Sequence, residues 1–188
     1  AWSDGLNDTA DRYLADISAS VGFEDAGTEF IATLSSSEDG LNIAAVSSET
    51  LTQSGALGAA SGLPVDQPSD IDALQRLGET LLVIASFGTN SVSVVRVSGG
   101  VPVLADHILD DEDTQFLGAS SVSVLTYGDF AFAGVGGAEG GVSLLTVLPG
   151  GRLVHLASFA DDAATTLYRL SAVQLTIAGS TLQIYGTS

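Results

Sequence analysis

The sequence repeats itself about every fifty residues, which constrains the fold more than any other feature. Residues 92–97 read Val-Ser-Val-Val-Arg-Val and residues 142–147 read Val-Ser-Leu-Leu-Thr-Val, and a pair of glycines closely follows each segment. Residues 41–46, Leu-Asn-Ile-Ala-Ala-Val, take the same place one copy earlier. Such a period is typical of proteins that stack copies of one small unit, because a single unit cannot bury its apolar face alone.

Each complete copy contains four short segments with the composition of β-strands. They are rich in valine, leucine and isoleucine, are partly alternating, and end at turn residues. The last copy has two such segments and then stops. The predicted strands are 17–21, 30–34, 41–46 and 51–52; then 71–77, 80–86, 91–97 and 101–105; then 122–126, 130–134, 142–147 and 153–157; then 173–177 and 182–185.

Four glycines fall between the first and second predicted strands of successive copies. Gly27, Gly78, Gly128 and Gly179 are 51, 50 and 51 residues apart. A turn residue with positive φ is the physical reason to keep glycine there. One segment, 9–17, has a weak helical pattern of one or two turns, for which Thr9 is a candidate N-cap.

Four antiparallel strands repeated at a fixed spacing predict an all-β fold of β-propeller blades. A β-sandwich is the alternative, although it has no reason to reproduce one order of strands and glycines. We divide the chain into a lead-in segment, 1–14, and a repeat region, 15–188, of about three and three-quarter units. Because propellers commonly need four to eight blades to close, we expect these units to be part of a larger ring. The predicted units are 15–65, 66–116, 117–168 and the partial unit 169–188.

The blade motif carries a resemblance to a known family. Residues 84–97, Ile-Ala-Ser-Phe-Gly-Thr-Asn-Ser-Val-Ser-Val-Val-Arg-Val, and their variant at 134–147 resemble the repeats of lactonase-type seven-bladed propellers, over roughly residues 15–188. The chain is also similar to the acidic, cysteine-free blades of large secreted bacterial RTX (hemolysin-type calcium-binding) proteins. These resemblances imply a blade architecture and a secreted or cell-surface location. The RTX nonapeptide Gly-Gly-x-Gly-x-Asp is absent.

The charge balance excludes several classes of partner. The chain has 23 acidic residues against five arginines and no lysine, and its net charge is −18. Nucleic acids and anionic membrane surfaces need a basic footprint, so neither is expected as a partner. No apolar run reaches the roughly 18 residues of a membrane span, so membrane insertion is not expected. The absence of cysteine excludes disulfides, cysteine-ligated zinc and thiol catalysis.

The densest acidic cluster lies between two predicted units. It contains Asp110, Asp111 and Asp113, and its counterpart one repeat later is Asp161 with Asp162. Carboxylates and loop carbonyls are the ligands that calcium prefers, so these five aspartates are the candidate metal ligands and calcium the candidate cofactor. A solvated acidic loop without a metal is the alternative interpretation, and no EF-hand spacing is present.

No catalytic residues are predicted. His107 and His155 are the chain's two histidines, they do not repeat in register, and no Gly-x-Ser-x-Gly elbow occurs. The first hypothesis is therefore a non-enzymatic propeller module of a secreted or cell-surface bacterial protein, acting in assembly or recognition. Its partner would be another polypeptide or a second copy that completes the ring or pairs with the open C-terminal strand edge. The alternative is a lactonase-like hydrolase that uses the central channel of the completed propeller.

Overall fold

The computed structural model describes residues 5–48 and 50–188, and these residues fold almost entirely into β-strands. Two short 3₁₀ turns, Ala59–Ser61 and Pro149–Gly151, lie in connections. The strands are β1 (Ile17–Asp25), β2 (Thr28–Ser35), β3 (Gly40–Val46), β4 (Leu51–Gly58), β5 (Pro68–Arg76), β6 (Glu79–Ser86), β7 (Ser91–Ser98), β8 (Val101–Leu109), β9 (Ala119–Tyr127), β10 (Phe130–Gly137), β11 (Gly141–Val147), β12 (Leu153–Ala160), β13 (Ala172–Ala178) and β14 (Thr181–Thr187).

The strands form one sheet per repeat, in sequence order and antiparallel throughout. Sheet 1 is β1-β2-β3-β4, sheet 2 is β5-β6-β7-β8, sheet 3 is β9-β10-β11-β12, and sheet 4 is the pair β13-β14. The predicted all-β fold of four-stranded antiparallel blades is therefore confirmed, and the described residues hold about three and a half units. The weak helical pattern of residues 9–17 does not produce a helix. The segment makes a single turn, in which Arg12 N donates to Thr9 O at 2.9 Å.

The repeated glycines lie in the first hairpin of each sheet, as predicted, but they play two different parts. Gly27 and Gly78 follow a left-handed residue, so both central residues of those turns have positive φ, as a type I′ turn requires. Gly128 and Gly179 come first in their turns, with φ of 59° and 64° and no left-handed residue after them, as in type II′. The turn type changes between sheets 2 and 3, where the spacing from Gly78 to Gly128 is 50 residues and not 51.

The sheets stack face to face around a common side of the molecule. The first strands, β1, β5, β9 and β13, pack beside one another, whereas the fourth strands lie farther apart. We call the first strands the inner strands. Leu34, Ile43 and Ile84 belong to an apolar cluster between sheets 1 and 2, and Val83, Val135 and Leu145 to one between sheets 2 and 3. Burying each such side chain stabilises the fold by about 1.5–3 kcal/mol, so neighbouring sheets stabilise one another.

The stack is open, and its two ends differ. Sheet 4 packs on sheet 3 through a smaller cluster that includes Val142, Leu170 and Val173. Beyond sheet 4 no further sheet lies among the described residues, and sheet 1 has a sheet on one face only. None of the described residues forms a helix long and apolar enough to cross a membrane.

Candidate functional site

The acidic connection after β8 is organised by its own carboxylates. Asp110 Oδ1 accepts hydrogen bonds from Phe116 N at 2.9 Å and from Thr114 Oγ1 at 2.8 Å. Asp111 Oδ1 accepts from Asp113 N at 3.0 Å, and Asp111 N donates to Thr114 Oγ1 at 2.8 Å. These are side-chain-to-backbone bonds of the kind that shape Asx and Ser/Thr turns. Two of the three predicted metal ligands in this loop therefore close the loop upon itself.

The connection after β12 repeats this arrangement 51 residues later. Asp161 Oδ1 accepts from Leu167 N at 2.6 Å, and Asp162 Oδ1 accepts from Ala164 N at 2.8 Å. Thr165 Oγ1 accepts from Asp162 N at 2.8 Å, as Thr114 does one repeat earlier. The pKa of the exposed Asp162 is lowered, chiefly by the hydrogen bond from Ala164 N and then by that from Thr165, because both favour the carboxylate.

The calcium assignment for these five aspartates stays a prediction. Within residues 5–48 and 50–188, no group of three or more His, Asp or Glu side chains is placed to share one metal ion. A bound ion would raise the melting temperature with rising calcium concentration. Calcium titration of the thermal midpoint, with Asp110→Asn as the matched variant, tests the assignment directly, and a midpoint that does not move contradicts it.

Both histidines bind serines inside the blades. His107 Nδ1 lies 2.9 Å from Ser93 Oγ, and Ser93 is fully buried. His155 Nε2 lies 2.8 Å from Ser158 Oγ, which also donates to Asp113 O at 2.8 Å. Burial lowers the pKa of His107, and the neighbouring Asp106 opposes that shift. A substrate cannot reach a fully buried serine, so the Ser93–His107 pair links β7 to β8 and is not an open catalytic pair.

A ladder of serines joins the inner strands of successive sheets. Ser18 Oγ donates to Pro68 O at 2.5 Å, Ser69 Oγ to Ala119 O at 2.6 Å, and Ser120 Oγ to Leu170 O at 2.5 Å. Each serine is 51 residues from the next, and each acceptor immediately precedes the next serine in sequence. The fourth member, Ser171, donates to Thr187 O within its own sheet at 3.1 Å. The ladder therefore sets the register between sheets and ends at sheet 4.

Polar side chains of β5 and β9 also satisfy the open edge of the next inner strand. Asp70 Oδ2 accepts from Val122 N at 2.9 Å and Asp72 Oδ2 accepts from Val124 N at 2.8 Å. Ser121 and Ser123, 51 residues after these aspartates, accept from Val173 N and Leu175 N. Burial raises the pKa of Asp72, the hydrogen bonds from Val124 and Ala73 lower it, and Asp70 adds a smaller upward contribution. These residues hold the sheets together and are not free for chemistry.

Sheet 4 has a free strand edge at a position that is paired on both sides in the other three sheets. By its position in the repeat, β14 corresponds to β2, β6 and β10, each of which lies between two strands, yet β14 pairs with β13 alone. Its far edge therefore carries unpaired backbone groups. The face of sheet 4 turned away from sheet 3 is largely polar, and Gln174 and Tyr185 lie opposite each other across the two strands there. Its members are Ala172, Gln174, Thr176, Gln183, Tyr185 and Thr187.

A groove of about 860 Å³ lies among the hairpins of sheets 1 and 2, at the end of the strands away from the acidic connections. Its charged lining includes Asp25, Arg76 and Arg96. Asp25 accepts from Thr80 Oγ1 at 2.8 Å and from Gly99 N at 2.6 Å, and Arg76 Nη1 donates to Val147 O at 2.5 Å. Both charged groups thus bridge neighbouring strands and hairpins, which makes the groove a weaker candidate site than the β14 edge.

Comparison with known proteins identifies the fold and nothing finer. No protein-family model matches the chain, and no curated protein matches it. Among solved structures, the chain is similar to a crystal structure described as that of a putative 6-phosphogluconolactonase from Bacteroides uniformis, with a TM-score of 0.63 and 16% sequence identity. The match covers 92% of this chain and 50% of that chain, so this chain spans about half the length of the protein it matches. The lactonase-type resemblance is thereby confirmed at the level of fold, while the RTX resemblance stays a prediction.

Proposed function

We propose that this chain is a non-enzymatic assembly module of a propeller-type protein and that it recognises another polypeptide through the free edge of β14. One observation carries the proposal: β14 has a strand on one side only, whereas β2, β6 and β10 each have strands on both sides. An exposed strand edge favours pairing with an added strand, because main-chain hydrogen bonds then provide affinity.

The repeats support a proposal for the chemistry of the partner. Next to β10, the following two strands are β11 and β12, which are rich in valine, leucine and serine. A polypeptide that ends in a similar two-stranded hairpin would complete sheet 4 in the same order. The half-length match to a lactonase-type protein supports this proposal, since that protein has room for the further blades. A second copy of this chain is the competing outcome.

A hairpin peptide tests the proposal directly. A synthetic copy of residues 141–160 should bind saturably and slow amide hydrogen exchange in residues 181–187, because their free backbone groups would become paired. A peptide of the same composition in scrambled order is the control. Equal exchange with both peptides would contradict the proposal, and light scattering that shows a dimer without any peptide would assign the edge to a second copy.

The lactonase-like alternative rests on the structural neighbour alone. It is tested by assaying a panel of lactones and esters with the full chain and with Arg76→Ala, a change in the hairpin groove. Turnover that depends on Arg76 would replace the assembly proposal with an enzymatic one. We also propose a secreted or cell-surface location, which rests on the resemblance to the acidic, cysteine-free blades of secreted RTX proteins and on the net charge of −18. Fractionation of the source cells tests it.

A further inference from the structure

The outer face of sheet 1 is the surface on which a preceding sheet would pack. It carries Ile31, Thr33, Gly40, Asn42, Ala44, Gln53 and Gly58. The corresponding positions of sheet 2, including Leu82, Ile84 and Val95, lie in the cluster that packs on sheet 1. Those of sheet 3, including Val135 and Leu145, pack on sheet 2 in the same way. The outer face of sheet 1 is therefore equivalent to two surfaces that another sheet covers.

A segment of the chain itself lies across this face. In residues 5–14, which we call the strap, Tyr13 places its ring on Gly40 and Gly58. These two glycines are direct partners across β3 and β4, and a Cβ atom on either would overlap the Tyr13 ring. Neither glycine has a left-handed conformation, so the backbone does not require glycine at these positions. The reason for glycine here is the close approach of the tyrosine.

Among the three four-stranded sheets, only sheet 1 has a pair of glycines at this position. The equivalent cross-strand pair in sheet 2 is Ser91 with Leu109, and in sheet 3 it is Gly141 with Ala160. A leucine or alanine side chain would occupy the place where the tyrosine ring lies. The pair Gly40 and Gly58 is thus a local departure from the repeat, and it lies where the strap contacts sheet 1.

Hydrogen bonds fasten the strap on both sides of Tyr13. Arg12 Nε donates to Gln53 Oε1 at 2.9 Å, and Gln53 Nε2 donates to Asp11 O at 3.1 Å, so the Gln53 amide binds two neighbouring residues of the strap. Ala15 N donates to Glu38 Oε2 at 3.0 Å just beyond the strap. Each such bond contributes about 0.5–1.5 kcal/mol and adds to the tyrosine contact in holding the strap on sheet 1.

The strap covers the face less completely than a blade would. Between them lies a cavity of about 260 Å³, lined by Leu6, Leu14 and Ile31 among others. Thr33 Oγ1 and Asn42 Oδ1 line it and are buried without a hydrogen-bond partner among the described residues. In sheets 2 and 3 the position of Thr33 holds the apolar Ile84 and Val135. Unsatisfied polar atoms weaken this contact relative to those between sheets, so the strap is held mainly by Tyr13 and its hydrogen bonds.

We propose that the strap is an intramolecular cap, which occupies the outer face of sheet 1 and excludes a second polypeptide from it. Resting on the proposed function, this gives the assembly a direction: association uses the β14 edge, and the sheet 1 end stays closed. The cap is a property of the single chain, so it can be tested without any partner for β14.

Trypsin measures whether the cap is closed. Cleavage after Arg12 requires the strap to leave sheet 1. Cleavage after Arg169 requires opening at the other end of the stack, where Leu170 is buried, and so controls for general loss of stability. In Gly58→Val the added side chain overlaps Tyr13, and we expect cleavage after Arg12 to be about tenfold faster with cleavage after Arg169 unchanged, because proteolysis follows the population of the open form. Gly22→Ala is the matched control, since a Cβ atom there has open space apart from Phe30 O at 4.0 Å.

A second variant and a second measurement complete the test. Tyr13→Ala opens the cap without adding volume to the sheet, so it should reproduce the faster cleavage even if Gly58→Val folds poorly. Light scattering should show both full-length variants self-associating at concentrations where the wild type and Gly22→Ala do not. Unchanged cleavage after Arg12 would overturn the cap, and faster cleavage without self-association would overturn its excluding role. Neither result depends on the β14 peptide experiment, so the two proposals fail separately.

Discussion

The two ends of the stack of sheets are finished in different ways. Sheet 1 has all four strands, and the strap with Tyr13 lies over its outer face. Sheet 4 has two strands, a polar outer face and an unpaired edge on β14. Terminal units of repeat proteins need a surface compatible with solvent. Here one end meets that need with a segment of its own chain and the other with polar side chains. In sheet 4 the free strand edge falls at the second strand, a position that is paired on both sides in sheets 1 to 3.

Core truncation should show the largest difference between the ends. Leu34→Ala removes a fully buried side chain between sheets 1 and 2 and should lower the free energy of unfolding by about 2–5 kcal/mol. Ile184→Ala, in half-buried β14, should cost clearly less, since fewer atoms are lost from a packed interior. Urea unfolding of both variants measures the difference. Equal losses would mean that sheet 4 is as well packed as sheet 1.

The serine ladder offers a smaller and more local comparison. Ser18→Ala removes the hydrogen bond to Pro68 O and should cost about 1 kcal/mol, because it also leaves the carbonyl without that donor. Ser171→Ala should cost less, since Ser171 Oγ is exposed and bonds only within sheet 4. Matched thermal melts of the two variants decide this. A loss at Ser171 as large as at Ser18 would contradict the view that the ladder ends there.

The acidic groups predict opposite responses to pH in the interior of the stack and in its last loop. The pKa of Asp72 is raised above 3.8, so the stability that this group contributes is present below pH 3.8 and is lost as pH rises through its folded pKa. The pKa of Asp162 is lowered below 3.8, so its contribution is present above pH 3.8 and is lost as pH falls through its folded pKa. Carboxyl NMR titration should find the two midpoints on opposite sides of 3.8. Midpoints in the reverse order would contradict both assignments.

The strands and hairpins were accessible to sequence analysis because they depend on local patterns. Valine and serine alternation located β7 and β11, and repeated glycines located the first hairpin of each sheet. The serine ladder was missed although Ser18, Ser69, Ser120 and Ser171 stand 51 residues apart, so spacing alone could have found it. The sequence does not show that these serines donate to the next sheet, because this depends on how the inner strands lie beside one another.

The strap and the acidic loops show where sequence analysis stops. Nothing near Tyr13 in the sequence indicates Gly40 and Gly58, because their common face depends on strand register and on the bulge between Ile43 and Ala44. The pairs Asp110–Asp111 and Asp161–Asp162 read as metal ligands, since a sequence does not show whether a carboxylate already has donors. A threonine follows each aspartate pair at the same spacing, at Thr114 and Thr165, and this repeat could have predicted that the aspartates form turns.

The constant step of the serine ladder has a consequence for the modularity of the chain. Because Ser18, Ser69 and Ser120 meet equivalent acceptors, removing residues 69–119 would bring Pro68 directly before Ser120, with the same chemistry on both sides of the new junction. Sheet 1 would then meet sheet 3 through a serine and a carbonyl already in register. We therefore expect a deletion or duplication of 51 residues at this junction to preserve the serine ladder, whereas a cut that separates a serine from the preceding acceptor would leave the ladder unmatched.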